Sequence, residues 1–413
     1  MTFTKSVALR ALAEIVAKAS SVVLMVAAAR ILQPREFGEF SLAWAAGWLA
    51  ATGTDLGLHL VTARELARGR AGAVHWAKRA FEAKLGLTAA MVAVGVAAAL
   101  FGGILQPTAF LAVGGAVVAL SYVDFAQHVL RARGAFGRDA AVLLVARGAM
   151  VGLGLWGLIS ADPTMFSLLL FTGAIAGACI ALLVARRDVR GLDAAGGATV
   201  GRADVLASAL PVGLGIALSI VCFRLDLFLL EAIKGASFVG VYAAAYRIFE
   251  AAQLIPAVGL TVLFPRLAAS GGATPEGRTL RRRSFAALVA AGVAVSVVGM
   301  VVSSVLVNML FGREYGDAVL PLRVLLLAAP FMFGNYLLTQ DLVSAGRQRA
   351  YAALAAGALG VNLAGNLWAI PRFGMAGAAA VTVATEIALM VGCLVVSGRL
   401  TKRTPDPLDE APA

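Results

Sequence analysis

The sequence predicts an all-α polytopic membrane protein with about twelve transmembrane helices in two six-helix lobes, related by a parallel pseudo-two-fold repeat. Composition is the first observation: 60% of the 413 residues are hydrophobic and 14% are charged, whereas soluble domains hold about 25% charged residues. The second is a series of apolar stretches, each long enough to cross a bilayer core of about 30 Å. The third is that every second loop is rich in Lys and Arg, as cytoplasmic loops of membrane proteins are.

Twelve apolar stretches are the predicted spans. They lie near residues 9–30, 39–61, 85–105, 109–130, 140–160, 163–185, 205–230, 238–264, 285–309, 319–343, 351–370 and 375–398. At a rise of 1.5 Å per residue, about 20 helical residues cover the bilayer core. The first span carries Arg10, Glu14 and Lys18, so we interpret it as mature structure and not as a signal peptide.

The loop charges predict that both termini are cytoplasmic. The net charge of +12 comes from 35 Lys and Arg against 23 Asp and Glu. Twenty-five of these cations lie in one alternate set of loops, in which we include Lys84, and six lie in the opposite set. The positive-inside rule makes the basic set cytoplasmic. This distribution explains the positive charge without a nucleic-acid partner.

A glycine-rich segment, GLDAAGGATVG, divides the spans into six and six. The predicted domains are an N-terminal lobe at 1–190, a cytoplasmic linker at 191–204 and a C-terminal lobe at 205–400. The tail at 401–413 is rich in proline and charge and is predicted to be disordered.

Short matches at equivalent places indicate that the two halves are repeats. REFGEFSLAWA follows the first span and ASFVGVYAAAY follows the seventh, so that Gly38 aligns with Gly240. Near the ends of spans five and eleven, Leu155–Trp156 aligns with Leu367–Trp368. Both halves have six spans and one orientation, which predicts a parallel repeat with a cavity between two lobes.

Four cations lie inside predicted spans and are candidate substrate-binding residues: Lys18, Arg147, Arg224 and Arg247. A charge in hydrocarbon costs several kcal/mol, so such residues usually face the protein interior or a watery cavity. A single buried ion pair is best explained as a contact between helices. A set with excess positive charge favours a polar pathway.

Five acids in the spans are candidate coupling or gating residues: Asp55, Asp124, Asp226, Glu250 and Glu386. Arg247 and Glu250 are three residues apart, so they share a helix face and can pair. Arg224 and Asp226 are two apart and cannot serve one face. Pro211 and Pro256 are predicted to interrupt their helices.

The sequence offers no catalytic constellation. Its three cysteines lie in separate apolar runs, and its three histidines, His59, His75 and His128, do not cluster. Their spacing matches no metal motif, and no phosphate-binding GxxxxGK[ST] is present. We therefore expect neither an enzyme nor a bound metal or cofactor.

The chain resembles the polysaccharide-biosynthesis oligosaccharide flippases, the Wzx-like branch of the multidrug/oligosaccharidyl-lipid/polysaccharide (MOP) exporter superfamily. Four segments carry the resemblance: ARILQPREFGEFSLAWA, TDLGLHLVTAREL, FRLDLFLLEAIKGASFVGVYAAAYRIFE and VNLAGNLWAIPRFGMAGAAAVTVATE. Arg224, Asp226, Arg247 and Glu250 match positions of that family, whereas Lys18 and Arg147 are candidates by depth alone.

The resemblance implies two six-helix lobes around a cationic cavity in a bacterial inner membrane. The implied substrate is an undecaprenyl-pyrophosphate-linked oligosaccharide, carried on a polyprenyl-pyrophosphate and moved from the cytoplasmic to the periplasmic leaflet by alternating access. Membrane lipid, a polysaccharide polymerase and a chain-length protein are the implied further partners. Arginine suits this chemistry because it binds phosphate through paired donors.

Two other functions stay open at this point. An ion-coupled drug or cation antiporter of the same superfamily would need a net acidic cavity, for which the five acids are available. A non-transporting scaffold of a glycan-assembly complex would use the buried charges for assembly alone.

Overall fold

The computed structural model describes residues 3–69, 72–102, 106–190, 200–257, 259–260, 274–345 and 347–401. Most of the predicted linker at 191–204 and the predicted tail beyond Thr401 lie outside these residues. Within them every regular element is a helix.

Seven helices make up the N-terminal part of the described chain. They are α1 (Phe3–Ile31), α2 (Pro34–Asp55), α3 (Leu58–Ala67), α4 (Ala73–Phe101), α5 (Pro107–Ala132), α6 (Phe136–Leu158) and α7 (Pro163–Arg190). The later helices are α8 (Arg202–Lys234), α9 (Ala236–Ala252), α10 (Pro275–Leu310), α11 (Val319–Leu326), α12 (Ala329–Ser344) and α13 (Gln348–Thr401). A 3-10 turn, Arg313–Ala318, precedes α11.

Eight of the described helices are long and apolar enough to cross a membrane. A ninth span is added if the segments Arg313–Leu326 and Ala329–Ser344, which are bent by 49°, form one broken span. Within the described residues the predicted spans fall on helices, and two of these helices begin about ten residues or more before the predicted span. The third predicted span belongs to a helix that begins at Ala73, and the ninth to one that begins at Pro275.

The last helix, α13, is 54 residues long but reverses direction at Gly374. That residue has φ 55° and ψ −134°, a conformation that favours glycine. Asn362 Nδ2 donates to Thr385 Oγ1 at 3.4 Å, although a straight helix would separate these residues by about 34 Å. The two predicted spans at 351–370 and 375–398 therefore form a helical hairpin.

The second predicted span breaks between α2 and α3. Leu56 and Gly57 both have positive φ, at 43° and 85°, which ends α2 and starts a new helix. Gly213 of α8 lies against this break, and a Cβ added there would lie 2.7 Å from Leu56 Cα. The break positions His59 at the start of α3.

The prediction that Pro211 interrupts its helix is wrong, since α8 continues through it from Arg202 to Lys234. Pro211 is exposed and removes only one backbone donor from a 33-residue helix, so the remaining hydrogen bonds maintain the helix. Near Pro256 the chain does break: α9 ends at Ala252, and a turn follows at Gln253.

The two aligned glycines of the predicted repeat contact each other's helices reciprocally. A Cβ added at Gly38 would lie 2.9 Å from the carbonyl carbon of Ala236, and one added at Gly240 would lie 2.8 Å from that of Pro34. Pro34 and Ala236 are themselves equivalent under the offset that relates Gly38 to Gly240. The contact between α2 and α9 is thus self-complementary, as a two-fold relation requires.

By contact the chain divides into two compact units, Met1–Ala244 with Met309–Tyr315, and Ala245–Asn308 with Gly316–Ala413. Helix α8 and the first half of α9 belong to the first unit. This grouping is a different division from the lobes at 1–190 and 205–400, which stay a prediction.

Candidate functional site

A connected set of charged side chains lies within the first unit, and we call it the N-terminal polar network. Its members are Arg10, Glu14, Lys18, Asp55, His59, Lys84, Asp124, His128, Arg131, Asp139 and Arg147. Helices α1 to α6 all contribute to it. Polar groups withdrawn from water need such partners.

Arg10 joins α1 to α6. Its Nη1 lies 2.6 Å from Glu14 Oε2, one turn further along the same helix. Its Nε lies 2.6 Å from Asp139 Oδ2, and the Asp139 side chain is completely buried. Asp139 is missed by sequence reasoning because it lies just before its predicted span. An acid in the first turn of a helix is favoured by the helix dipole, and this is the signal that could have found it.

Lys18 and Arg147, two of the predicted substrate-binding residues, both interact with the carboxylate of Glu14. Lys18 Nζ lies 3.7 Å from Glu14 Oε1, and its side chain is 44% exposed. Arg147 is half-buried and interacts electrostatically with both Glu14 and Asp124. The structure thus brings together cations of α1 and α6 that lie far apart in the sequence.

The prediction that Lys84 lies in a basic loop is wrong. It lies inside α4, completely buried, with Nζ 2.9 Å from Asp55 Oδ2 and 4.8 Å from the ring centre of Tyr122. The prediction fails because α4 begins well before the apolar stretch, and Lys84 lies about three turns into it. Ala77 and Ala80 are buried on the same face at helical spacing, which is the signal that could have placed Lys84 inside.

Two of the three histidines, His59 and His128, come together in three dimensions, contrary to the prediction that the histidines do not cluster. The rings of His59 on α3 and His128 on α5 have their centres 4.4 Å apart. His59 Nδ1 contacts Asp55 Oδ1, and His128 Nδ1 lies 2.9 Å from the backbone carbonyl oxygen of Asp124. The packing of α3 on α5 creates this contact, and no pattern within either helix signals it.

One group of possible metal ligands results from this packing. Among the residues that the structure describes, only His59, Asp124 and His128 bring three metal-ligating groups together. One ligand atom from each lies within 4.8 Å of the others.

Asp226 and Arg224 both lie on α8. Asp226 is buried and accepts a hydrogen bond of 2.8 Å from the Tyr242 hydroxyl. Arg224 is half-buried. Tyr242 belongs to the repeated segment of α9, so the repeat supplies a partner to this acid.

Arg247 and Glu250 form the ion pair that their spacing predicts. Arg247 Nη1 lies 2.7 Å from Glu250 Oε2, and the two side chains are 14% and 20% exposed. Both residues belong to the second unit.

A further buried polar cluster lies on α12 and the α13 hairpin. Asn335 Nδ2 donates to Glu386 Oε2 at 2.7 Å and to the Glu386 backbone carbonyl oxygen at 2.9 Å. Asn366 Nδ2 donates to Asn362 Oδ1 at 2.9 Å. Glu386 is thus held in the interior of the second unit by an amide.

The predicted site residues therefore fall into separate groups. Four of them share the N-terminal polar network: Lys18, Arg147, Asp55 and Asp124. Arg224 and Asp226 lie on α8 in the same unit. The second unit holds the pair of Arg247 and Glu250 and, separately, Glu386 with its amide partner.

Comparison with known proteins gives structural but no sequence matches. No protein-family model and no curated protein matches the chain. The solved structure of the lipid II flippase MurJ, in an inward closed conformation, is 12% identical. Its match covers 94% of this chain and 87% of MurJ, with a TM-score of 0.77.

Two transporters of the MOP superfamily are also similar. A multidrug resistance MATE family transporter in an inward-facing conformation is 17% identical, with a match that covers 94% of this chain and 96% of the transporter and a TM-score of 0.69. A MOP superfamily transporter from Pyrococcus furiosus, described by the reverse polarity of its binding pocket, is 16% identical. That match covers 97% of this chain and 96% of the other, with a TM-score of 0.70.

Similarity at such low identity shows the fold, and it confirms the predicted fold class. The chain is an all-α, multi-pass membrane protein with the two-lobe, twelve-helix fold of the MOP superfamily transporters.

Proposed function

We propose that this protein is a flippase for an undecaprenyl-pyrophosphate-linked oligosaccharide in surface polysaccharide biosynthesis. The substrate would move from the cytoplasmic to the periplasmic leaflet of a bacterial inner membrane by alternating access. Lys18, Arg147, Arg224 and Arg247 would bind its diphosphate. The polyprenyl chain can stay in lipid while the charged head passes through the protein.

The observation that carries this proposal is that Lys18 and Arg147 both interact with Glu14. Lys18 Nζ lies 3.7 Å from Glu14 Oε1, and Arg147, on another helix, interacts with Glu14 electrostatically. Lys18 keeps 44% of its side chain exposed. A diphosphate offers two adjacent anionic groups to such a pair. Charge-assisted hydrogen bonds to phosphate are about twice as strong as neutral ones, and arginine forms them in pairs.

The balance of charge in the N-terminal polar network supports an anionic substrate. Each carboxylate in the network already has a cationic neighbour. A cationic drug would have to displace those neighbours, whereas a diphosphate would compete with a carboxylate, such as Glu14, for the same cations. The network holds five Lys and Arg residues, Arg10, Lys18, Lys84, Arg131 and Arg147, and four carboxylates, Glu14, Asp55, Asp124 and Asp139.

An antiporter of the same superfamily is the second candidate, and Glu386 is the observation that favours it. This acid is buried within a predicted span, and buried acids in membrane spans often belong to proton relays. The third function, a scaffold protein without transport activity, would not require the partly exposed amino group of Lys18.

The test is flipping of a fluorescent polyprenyl-diphosphate glycolipid by the purified protein in liposomes. Lys18→Ala and Arg147→Ala should each slow flipping by about tenfold or more, because a hydrogen bond to a charged group contributes about 1.5–3 kcal/mol. Arg35→Ala is the matched control, since that side chain is 62% exposed and outside the network. Arg147→Lys should be intermediate, because it keeps the charge and loses the paired donors.

Equal flipping by wild type and the Lys18→Ala/Arg147→Ala double variant would contradict the proposal. Absence of flipping by the wild type, with uptake of a cationic dye driven by a proton gradient, would favour the antiporter.

The orientation in the membrane is tested separately. Labelling of a cysteine at Thr199 from the periplasmic side would contradict the prediction that both termini are cytoplasmic.

A further inference from the structure

The side chains of His59, His128 and Asp124 converge beside the break between α2 and α3. One ring nitrogen of each histidine and one carboxylate oxygen lie within 4.8 Å of one another. Two of the chain's three histidines are in this cluster. Imidazole and carboxylate are ligands of first-row divalent metals, and three protein ligands with an open fourth position form a familiar zinc site.

Each of the two histidines has an oxygen acceptor beside Nδ1. His59 Nδ1 contacts the Asp55 carboxylate, and His128 Nδ1 lies 2.9 Å from the carbonyl oxygen of Asp124. When Nδ1–H donates to such an acceptor, the lone pair is on Nε2, which is then the ligand atom. For His128 this tautomer requires the Arg131 guanidinium, which can only donate, to move away from Nδ1. Acceptors of this kind orient the imidazole and raise its basicity in metal sites.

The surrounding charges both support and oppose a cation here. The carboxylates of Asp55 and Asp124 compensate a positive ion. Arg131 opposes it, with Nη2 3.1 Å from His128 Nδ1 and 3.8 Å from Asp124 Oδ1. Lys84 neutralises part of the Asp55 charge, and Arg147 interacts with Asp124.

We propose that His59, His128 and Asp124 form a binding site for a divalent transition-metal ion of the zinc class. Ligand atoms at about 2.0–2.2 Å from a tetrahedral metal ion lie about 3.4 Å from one another. The distances between the three ligand atoms here, which are at most 4.8 Å, must therefore shorten by roughly 1.4 Å at most. Asp124 can supply this movement because its side chain is 51% exposed. Arg131 retains Asp139 as a partner, at 3.6 Å, when the metal takes Asp124.

A bound ion would fasten α3 to α5. Helix α3 begins immediately after Leu56 and Gly57, whose positive φ values mark the break from α2, so the ion would fix the orientation of α3 at that break. The proposal is independent of which substrate the protein moves.

The experiment uses the full chain in detergent, treated with a chelator and freed of any histidine tag. Co²⁺ is titrated and followed by the visible absorption of tetrahedral cobalt, and bound Zn²⁺ is counted by elemental analysis. One ion per chain is expected, with Zn²⁺ displacing Co²⁺.

Single changes at the ligands identify the site. His59→Ala, His128→Ala and Asp124→Asn should each weaken Co²⁺ binding by at least tenfold, since even changes to residues that only orient the ligands cost about 10–100-fold. His75→Ala is the matched control, because it removes the third histidine, which lies beside Arg79 and outside the cluster. That variant should bind like the wild type.

A substitution that replaces one metal ligand with another distinguishes loss of the ligand from loss of folding. His128→Cys should retain Co²⁺ binding and add the near-ultraviolet charge-transfer absorption of a cobalt–thiolate bond. Absence of saturable Co²⁺ binding to the wild type would overturn the proposal. So would a His59→Ala/His128→Ala double variant that elutes as a folded monodisperse protein and binds Co²⁺ as tightly as the wild type.

Discussion

The reciprocal contact of α2 and α9 leads to a prediction about Gly38→Ala and Gly240→Ala. A methyl group at Gly38 would lie 2.9 Å from the carbonyl carbon of Ala236 and 2.9 Å from the amide nitrogen of Gly240. A methyl group at Gly240 would lie 2.8 Å from the carbonyl carbon of Pro34 and 3.0 Å from the amide nitrogen of Gly38. The obstacles are backbone atoms, so no side-chain rotation can relieve either clash.

The net effect is a difference between two opposing contributions. The nearest atom at each site is a backbone carbonyl oxygen, that of Ala236 for Gly38 and that of Pro34 for Gly240, and a Cβ would overlap it. The helices must therefore separate, and overpacking of this kind typically costs about 1–3 kcal/mol. Alanine in place of glycine inside a helix returns up to about 1 kcal/mol. We therefore expect each change to destabilise the protein by about 1–2 kcal/mol, and by similar amounts because the two environments are equivalent.

The double variant distinguishes a shared contact from two independent sites. One separation of α2 from α9 makes room for both methyl groups, so the double variant should lose less stability than the sum of the single losses. Thermal unfolding of the detergent-solubilised protein is the assay. Gly152→Ala is the control, because nothing lies within 4 Å of a Cβ at that helical position. Unfolding midpoints of Gly38→Ala and Gly240→Ala equal to that of the control would refute the close contact, and additive losses would refute its reciprocity.

Three further outcomes follow from the structure. Lys84→Met should destabilise the protein by about 3–5 kcal/mol because Asp55 is left as an uncompensated charge, and the Lys84→Met/Asp55→Asn double variant should recover part of the loss in the same unfolding assay. Arg247→Met and Glu250→Gln should show a non-zero coupling energy in a double-mutant cycle, whereas additive losses would mean that each residue serves another partner. Gly374→Ala should cost about 1–3 kcal/mol, because alanine strongly disfavours φ 55° with ψ −134°, and an unchanged unfolding midpoint would contradict the sharp reversal in α13.

Helices and repeat could be predicted from the sequence because both depend on local pattern. Hydropathy identifies long apolar stretches whatever their neighbours are, and Gly38 and Gly240 are visible as equivalent positions before their contact is known. Residues near the ends of spans are harder. Lys84 and Asp139 lie next to apolar stretches and look like loop residues, although the helices extend around them and bury them.

Contacts between helices could not be predicted, and these decide what the charges do. The sequence indicates that Arg247 can reach Glu250, because one helix face holds both. It cannot indicate that Lys18 and Arg147 share Glu14, or that His59 meets His128, since these contacts depend on which helix faces pack together. The membrane depth of a charged residue can thus be predicted from the sequence around it, whereas its contact partner depends on how the helices pack.

Glu14 is the member of the N-terminal polar network whose interaction with Arg147 could not be predicted from the sequence. It lies 2.6 Å from Arg10 and 3.7 Å from Lys18, and it interacts with Arg147, so it occupies the position that a substrate phosphate would compete for. If a phosphate must displace an interaction of about 1.4 kcal/mol, removal of the Glu14 charge should raise the affinity for a diphosphate about tenfold.

Glu14→Gln should therefore bind a soluble prenyl diphosphate more tightly than the wild type in isothermal titration, while Glu39→Gln, which alters the ion pair with Arg35 at the protein surface, should not. Tighter binding slows release, so flipping by Glu14→Gln should fall even as its affinity rises. Weaker diphosphate binding by a folded Glu14→Gln variant would show instead that Glu14 positions Lys18 and Arg147 for the substrate. A carboxylate that competes with the substrate gives the empty protein a way to neutralise its cations, and it lets the diphosphate leave again.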